Sequence, residues 1–292
     1  MKFSLSARLP FNFLPVVNSH GWRQLVPFSY DENNNILFYV LRLSNGRVIK
    51  LGLSDGTEGV IVETEKLDKT ERKEVTDAVS WMLGLEMDFA RFYAASGGEP
   101  KLKRAKKLAL GRVLRSPTLF EDVIKTILTT NTLWVATKNM TLKLVTEFGE
   151  PLKEDITKRA FPTPEAIAAS SPEFLRERIR VGYRASAIHQ LAARVASGTF
   201  DLESLKTSDL PTPELRKELL KINGVGPYAA ANLLLIMGRT DFIPIDSWAL
   251  KLVSHEWYDA KPVTPKHVEK HFEDWGEFKG LAFWFWDWKY KE

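Results

Sequence analysis

The sequence predicts an α+β chain, with a small antiparallel β-rich domain over residues 1–98 and an all-helical domain over residues 99–292. Three observations predict it. Up to about residue 65, short runs rich in Val, Ile, Phe and Tyr alternate with strong turn signals. From Thr70 the apolar spacing changes to that of helices and stays so. Between the two regimes, Gly97-Gly98-Glu99-Pro100 breaks the chain.

Composition narrows the class before any motif is read. A chain of 292 residues is long enough for two domains with a sizeable core. Hydrophobic content of 44% and charged content of 27% are ordinary for a globular protein. The formal charge of +4 suits a polyanionic partner without requiring one. There is no cysteine, which excludes disulfides, cysteine-ligated zinc and an iron–sulfur cluster. The start, MKFSLSARLPFNF, lacks the apolar core of a secretory signal, and no apolar run reaches the length of a membrane span. The expectation is a soluble cytoplasmic protein, or a nuclear one if the source is eukaryotic, without a membrane partner.

Strands are expected over residues 21–28, 36–43, 48–53 and 59–63, with turns at 31–35 (DENNN) and 44–46 (SNG). Helices are expected over 71–83 and 88–95. Residues 101–115 (KLKRAKKLALGRVLR) carry seven basic residues and no acidic one. Leu102, Ala105 and Leu108 would lie under a basic face, which is either solvated or turned to phosphates. Residues 118–130 form an amphipathic helix with Phe120, Val123, Ile124 and Ile127 buried. Further helices are expected over 133–148, 162–169, 172–180, 185–197, 211–222, 246–255, 264–275 and 277–290. Of the nine tryptophans, Trp275, Trp284, Trp286 and Trp288 crowd the C-terminus. His267 and His271 lack the H-E-x-x-H order, so no metal site built from side chains is expected.

The most informative stretch is 221–246, KINGVGPYAAANLLLIMGRTDFIPID. A helix breaks at Asn223-Gly224-Val225-Gly226 and restarts at Pro227, which fits the first position of a helix. Gly224 and Gly226 leave backbone N–H groups uncovered, and with the new helix N-terminus they make a phosphate-sized anion site. Val225 packs the turn. Ala229, Ala230 and Ala231 permit close helix packing, and Gly238 ends the helix. Asp246 then opens another helix, where it is either an N-cap or a carboxylate with chemical work to do.

The order G-V-G-P, small-residue helix, P-x-D resembles the helix-hairpin-helix (HhH-GPD) superfamily of base-excision DNA glycosylases. The resemblance covers residues 115–288 and draws on the 3-methyladenine and 8-oxoguanine branches. It implies two helical lobes with the active-site cleft between them, and a hairpin of Gly224, Val225, Gly226 and Tyr228 that grips DNA phosphate. A monovalent cation at the hairpin carbonyls is implied as well. Asp246 would be the catalytic carboxylate that stabilises an oxocarbenium-like sugar. Two residues past Gly226, strand-cleaving relatives carry a lysine that forms a Schiff base. Here it is Tyr228, which implies base removal by water alone.

Asn131 matches an asparagine that fills the gap beside the orphaned base. Gly182-Tyr183-Arg184-Ala185 matches a G-Y-R-A in which the tyrosine wedges between bases and the arginine bonds the orphaned base. Read without the resemblance, Asn131 is a helix C-cap, Tyr183 a packing residue and Arg184 a surface residue. Trp248 and Trp284 are candidates for the wall of a base pocket, because electron-poor alkylated purines bind well to aromatic faces. The expected partner is double-stranded damaged DNA, met by a monomer. One departure is Asn223, where the family commonly has proline. Asparagine tolerates the left-handed backbone, so the hairpin should persist.

Overall fold

The computed structural model describes residues 1–288. Two compact units emerge among the described residues, each built from two stretches of chain: residues 1–87 with 112–207, and residues 88–111 with 208–288. The expected boundary at 98 therefore falls inside the second unit. The break in composition is real, but the sheet takes the first helices of the helical region into its own core.

In the first unit, β1 (Lys2–Ser6), β2 (Phe28–Asp31), β3 (Ile36–Arg42), β4 (Val48–Gly56) and β5 (Gly59–Glu63) form an antiparallel sheet in the order β1-β5-β4-β3-β2. Successive side chains of a strand alternate between faces. One face accordingly collects the buried pairs Leu37–Leu53, Tyr39–Leu51, Leu41–Ile49 and, across the next interface, Leu53–Val62. On the opposite face Val40 packs with Leu152 and Ala160. These come from β6 (Pro151–Leu152), which pairs with β7 (Asp155–Arg159), and from the residue after it. The turn after β2 is closed as its sequence implied: Asp31 Oδ1 accepts the N–H groups of Asn33 and Asn34 at 3.0 and 3.2 Å.

The strand expected over 21–28 is instead a 3-10 turn at Gly21–Gln24, with β2 starting only at Phe28. Leu25 N–H bonds Trp22 C=O and Phe28 N–H bonds Leu25 C=O, so the backbone is satisfied locally, and Pro27 has no N–H for a ladder. β1 (KFSLS) and a short helix α1 (Phe13–Val17, FLPVV) are only five residues each, and Pro15 interrupts the helical signal of the second.

Helix α2 (Lys69–Leu83) starts in a capping box between Asp68 and Glu71 and ends at Gly84, whose φ is 59°. In the second unit α3 spans Ala90–Ser96. Residues 101–111 are a succession of turns rather than a helix, with Leu102, Ala105, Ala109 and Leu110 buried and Lys103, Arg104, Lys106 and Lys107 exposed. Not all seven cations of 101–115 form one outer face. Lys101 pairs with Glu256 and Asp287 at 3.0 and 3.5 Å. Arg112, in the first unit, is buried and donates to the carbonyls of Arg8, Pro10, Gly84 and Met87. Arg115 is buried against Trp81.

Helix α4 (Leu119–Thr129) is the buried centre of the first unit. Thr118 caps it, and Glu203 accepts the N–H groups of Leu119 and Phe120 at its N-terminus. Charged residues on α4 are buried but partnered, as burial of charge requires. Tyr39 donates to Glu121 at 2.6 Å, Lys125 donates to the same carboxylate, and Trp22 Nε1 donates to Asp122 at 2.7 Å. Helix α5 (Trp134–Phe148) packs on α4, and α6 (Pro164–Ala168) and α7 (Pro172–Phe174) pack on α8 (Ala185–Ala196) in the same unit. The helix expected over 172–180 is one short turn followed by a wider turn at Leu175–Ile179.

The second unit continues with α9 (Thr212–Leu220), α10 (Pro227–Ile236), α11 (Ser247–Trp257), α12 (Pro265–His271) and α13 (Lys279–Trp284). The helix expected over 277–290 is shorter, and residues 289 and 290 of that expectation lie outside the described residues. Among the described residues, no helix is long and apolar enough to cross a membrane.

Candidate active site and nucleic-acid interface

The hairpin between α9 and α10 forms as its glycines require. Gly224 has φ +85°, a conformation that an L side chain adopts only under strain. Val225 is buried and its N–H bonds Ile222 C=O at 3.0 Å, tying the turn back onto α9. Gly226 differs from Gly224. Its backbone is extended (φ −89°, ψ −176°), and an added Cβ would meet nothing within 4 Å. Neither backbone nor packing asks for glycine there. What glycine does provide is open backbone at the N-terminus of α10, where unpaired N–H groups favour an anion.

Ala229, Ala230 and Ala231 are buried along α10. The helix closes at Gly238 (φ 84°), with Arg239 N–H bonding Leu234 C=O at 2.8 Å. The chain then delivers Asp246 as the N-cap of α11. Its Oδ1 accepts the Ala249 N–H at 2.9 Å, while the residue itself is exposed. Oδ2 makes no hydrogen bond among the described residues. Capping fixes the carboxylate in direction and leaves one oxygen outward.

Tyr228 stands on the first turn of α10, and its hydroxyl is pushed up to about 12, first by burial and then by the Asp246 carboxylate. The phenol is therefore neutral and close enough to Asp246 to feel its charge. Trp248, two residues past Asp246, is half exposed and rests edge-on against Phe283 with ring centroids 5.4 Å apart. Trp284 is partly exposed on α13, next to that buried Phe283. Tyr228, Asp246 and Trp248 thus belong to one corner of the second unit. Phe283, which supports Trp248, was hidden among the C-terminal aromatics.

In the first unit, three further candidates meet. The C-cap of α4 is Thr130 rather than Asn131; Asn131 follows it in the left-handed region with φ +46°, and its side chain is exposed. Asn131 Nδ2 donates to Tyr183 Oη at 3.4 Å, and Thr130 Oγ1 lies at the same distance from that oxygen. Tyr183 is 66% exposed, which a packing residue would not be. These hydrogen bonds, from Thr130 foremost, hold its hydroxyl below the usual tyrosine range. Arg184 is neither at the surface nor turned outward. It is buried, with its guanidinium against the Tyr183 ring and bonded to backbone carbonyls. Leu133 and Val135, 80% and 63% exposed, stand just past Asn131. Sequence reading passed over both, although two apolar residues flanking a helix start beside a polar loop were a usable signal.

His267 Nδ1 is engaged with Thr264 and His271 Nε2 with Tyr258, and among the described residues no group of three or more His, Cys, Asp or Glu is arranged to hold a metal ion.

The hairpin thus has one glycine in the left-handed region and one in open, extended backbone, and it is followed by an aspartate that caps α11 and is exposed. The family model described as HhH-GPD superfamily base excision DNA repair protein matches residues 124–278, just over half of the chain. The chain belongs to this superfamily. It is 24% identical over 212 residues to the DNA-3-methyladenine glycosylase of Bacillus subtilis (strain 168), covering 70% of this chain and 69% of that protein. MBOgg1, solved in complex with a low-affinity DNA ligand, superposes with a TM-score of 0.74 at 26% identity, over 95% of this chain and 91% of its own. The 3-methyladenine DNA-glycosylase from Archaeoglobus fulgidus shares the fold with a TM-score of 0.75 at 22% identity, over 98% and 97% of the two chains. The family places the chain among DNA glycosylases, with a β-rich N-terminal region ahead of a helical HhH-GPD region.

Proposed function

We propose that this DNA glycosylase is monofunctional, acts as a monomer on double-stranded damaged DNA, and hydrolyses the N-glycosidic bond of a flipped alkylated purine such as 3-methyladenine. The observation that carries the reading is Tyr228: a half-buried, neutral phenol beside Asp246, where strand-cleaving relatives carry an amine. A neutral phenol cannot form a Schiff base with the sugar. Asp246 supplies the electrostatics. As the bond to the base breaks, its electron pair leaves with the base, and positive charge gathers on the sugar. A fixed carboxylate stabilises that charge, and Oδ2 can orient the water that adds at the vacated carbon and take its proton. An alkylated purine departs as a neutral base, so no general acid is required.

Flipping costs a few kcal/mol. The hairpin N–H groups of Gly224 and Gly226 and the N-terminus of α10 would hold the neighbouring phosphate, with Asn131 and Tyr183 filling the vacated space. Backbone carbonyls at the exposed hairpin are hard oxygen donors, the type that suits a monovalent cation, and they would neutralise phosphate through it. Exposed Trp248, backed by Phe283, offers a face for an electron-poor ring, with Trp284 as a second wall. The similarity to two 3-methyladenine glycosylases supports this substrate class. A second reading, excision of 8-oxoguanine, is favoured by one observation, the contact of Asn131 with Tyr183.

The test is a panel of duplexes carrying 3-methyladenine, 7-methylguanine, hypoxanthine or 8-oxoguanine, followed by alkaline cleavage of abasic sites. Alkylpurine release without alkali-independent strand breaks is expected. Asp246→Asn should lower release by a factor of about 100 to 1,000, the loss typical of a removed electrostatic group, while binding persists. Release from 8-oxoguanine alone selects the second reading. Binding without release from any lesion means a lesion-binding protein that does no chemistry.

A further inference from the structure

Asn131 and Tyr183 face outward, but Arg184 between them and the core does not. Its Nε donates to Ile127 C=O at 3.1 Å, Nη1 to Val181 C=O at 3.3 Å, and Nη2 to Thr130 C=O. Ile127 lies in the last turn of α4 and Thr130 is its C-cap; the Ile127 carbonyl also accepts the Thr130 N–H and Oγ1, and a positive charge at this helix end complements the dipole. The planar fork of arginine suits this bridging of two segments. The Thr130 carbonyl belongs to the peptide that leads into Asn131. The Tyr183 ring lies 4.5 Å from the guanidinium carbon. One side chain therefore grips both halves of the outward pair.

We infer that Arg184 is a positioning residue: its guanidinium fixes the Asn131–Tyr183 pair and does not read the base opposite the lesion. This rests on the proposal that the chain excises a flipped base. To reach a base edge, Arg184 would have to give up its hydrogen bonds to the Thr130 and Val181 carbonyls as well as its share of the Ile127 carbonyl, which also accepts from Thr130. Asn131 is then the polar group left to meet the orphaned base, and its amide carries both a donor and an acceptor. Such a group suits any base, so the four opposite bases are handled alike.

The test uses the full chain and duplexes with a tetrahydrofuran abasic analogue placed opposite C, T, A or G. Affinities for the four are expected to agree within about threefold. Arg184→Ala should weaken all four by a similar factor of about ten, the equivalent of 1.4 kcal/mol. Arg184→Lys should recover only part, since a compact ammonium lacks the planar fork that spans carbonyls on two segments. A loss at least tenfold larger for one opposite base than for the others would overturn the inference. If Arg184→Ala does not fold, Asn131→Ala decides: a more than tenfold opposite-base preference in the wild type that persists in this variant would equally overturn it. These are binding measurements, so they stand even if no lesion in the base-release panel is cleaved, an outcome that would count against the glycosylase proposal alone.

Discussion

In the proposed function, residue 228 is where one side chain selects between two chemistries. Tyr228 is half-buried and its ionisation is opposed first by burial and then by Asp246, so at neutral pH its phenol is neutral. A lysine in its place would stand beside a carboxylate and within the same pocket. Tyr228→Lys is therefore expected to gain a borohydride-trappable covalent complex and strand cleavage, while Tyr228→Phe keeps base release within about threefold because only a neutral hydroxyl is removed. No trapped complex with Tyr228→Lys, in a variant that still binds duplex, would place residue 228 away from the sugar. At this scale the sequence was legible for Gly224, Tyr228 and Asp246, since the hairpin and cap are local. It was not legible for Arg184. Its partners Ile127 and Thr130 are more than fifty residues away in sequence, and nothing local distinguishes a buried arginine from an exposed one.

Elements show the same divide between local and distant determinants. The helix-hairpin-helix could be read because each of its turns is set by glycine or proline within a few residues. The basic run 101–115 could not be read in the same way. Its alternation fits a helix, yet Arg112 is drawn to carbonyls 102 residues away at Pro10 and the preceding residues settle into turns. Residues 21–28 failed as a strand for a similar reason: Trp22 is pulled inward to Asp122, 100 residues on. The two hairpin glycines make a testable contrast. Gly224→Ala forces a left-handed alanine and should cost about 1–2 kcal/mol, seen as a lower melting temperature. Gly226→Leu adds a side chain to an open, extended position and should leave melting unchanged. It should nevertheless weaken duplex binding about tenfold or more, because the phosphate approach is blocked. Unchanged affinity in Gly226→Leu would remove the hairpin from the DNA contact.

For the whole molecule, fold class followed from composition and period, because burial of one face of a sheet and of helical stripes is written in residue order. The grouping into units did not, since it depends on which helices the sheet recruits, and α4 joins it through buried charge. That charge makes global stability depend on pH in a specific way. Burial raises the Asp122 carboxyl to about 7, above its usual value near 3.8, and lowers His20 to about 4 from 6.5. A raised folded-state acid stabilises fully below its unfolded pKa and loses that stabilisation as pH climbs from about 4 to 7. A depressed folded-state base does the reverse: its contribution is present above about 6.5 and is lost as pH falls towards 4. Between about 4 and 6.5 the native state thus takes up one proton at Asp122 and forgoes one at His20, and the two slopes oppose. Each is worth up to about 1.4 kcal/mol per pH unit. From these two groups the wild type should therefore show a nearly flat stability in that window. Asp122→Asn removes one slope and keeps the shape, leaving His20 alone. Its denaturant-derived stability should rise with pH between 4 and 6.5 relative to the wild type, by a total of about 2–3 kcal/mol. The measurement is urea unfolding of both proteins at half-unit pH steps, and parallel curves would show that Asp122 is ionised in the core despite its burial.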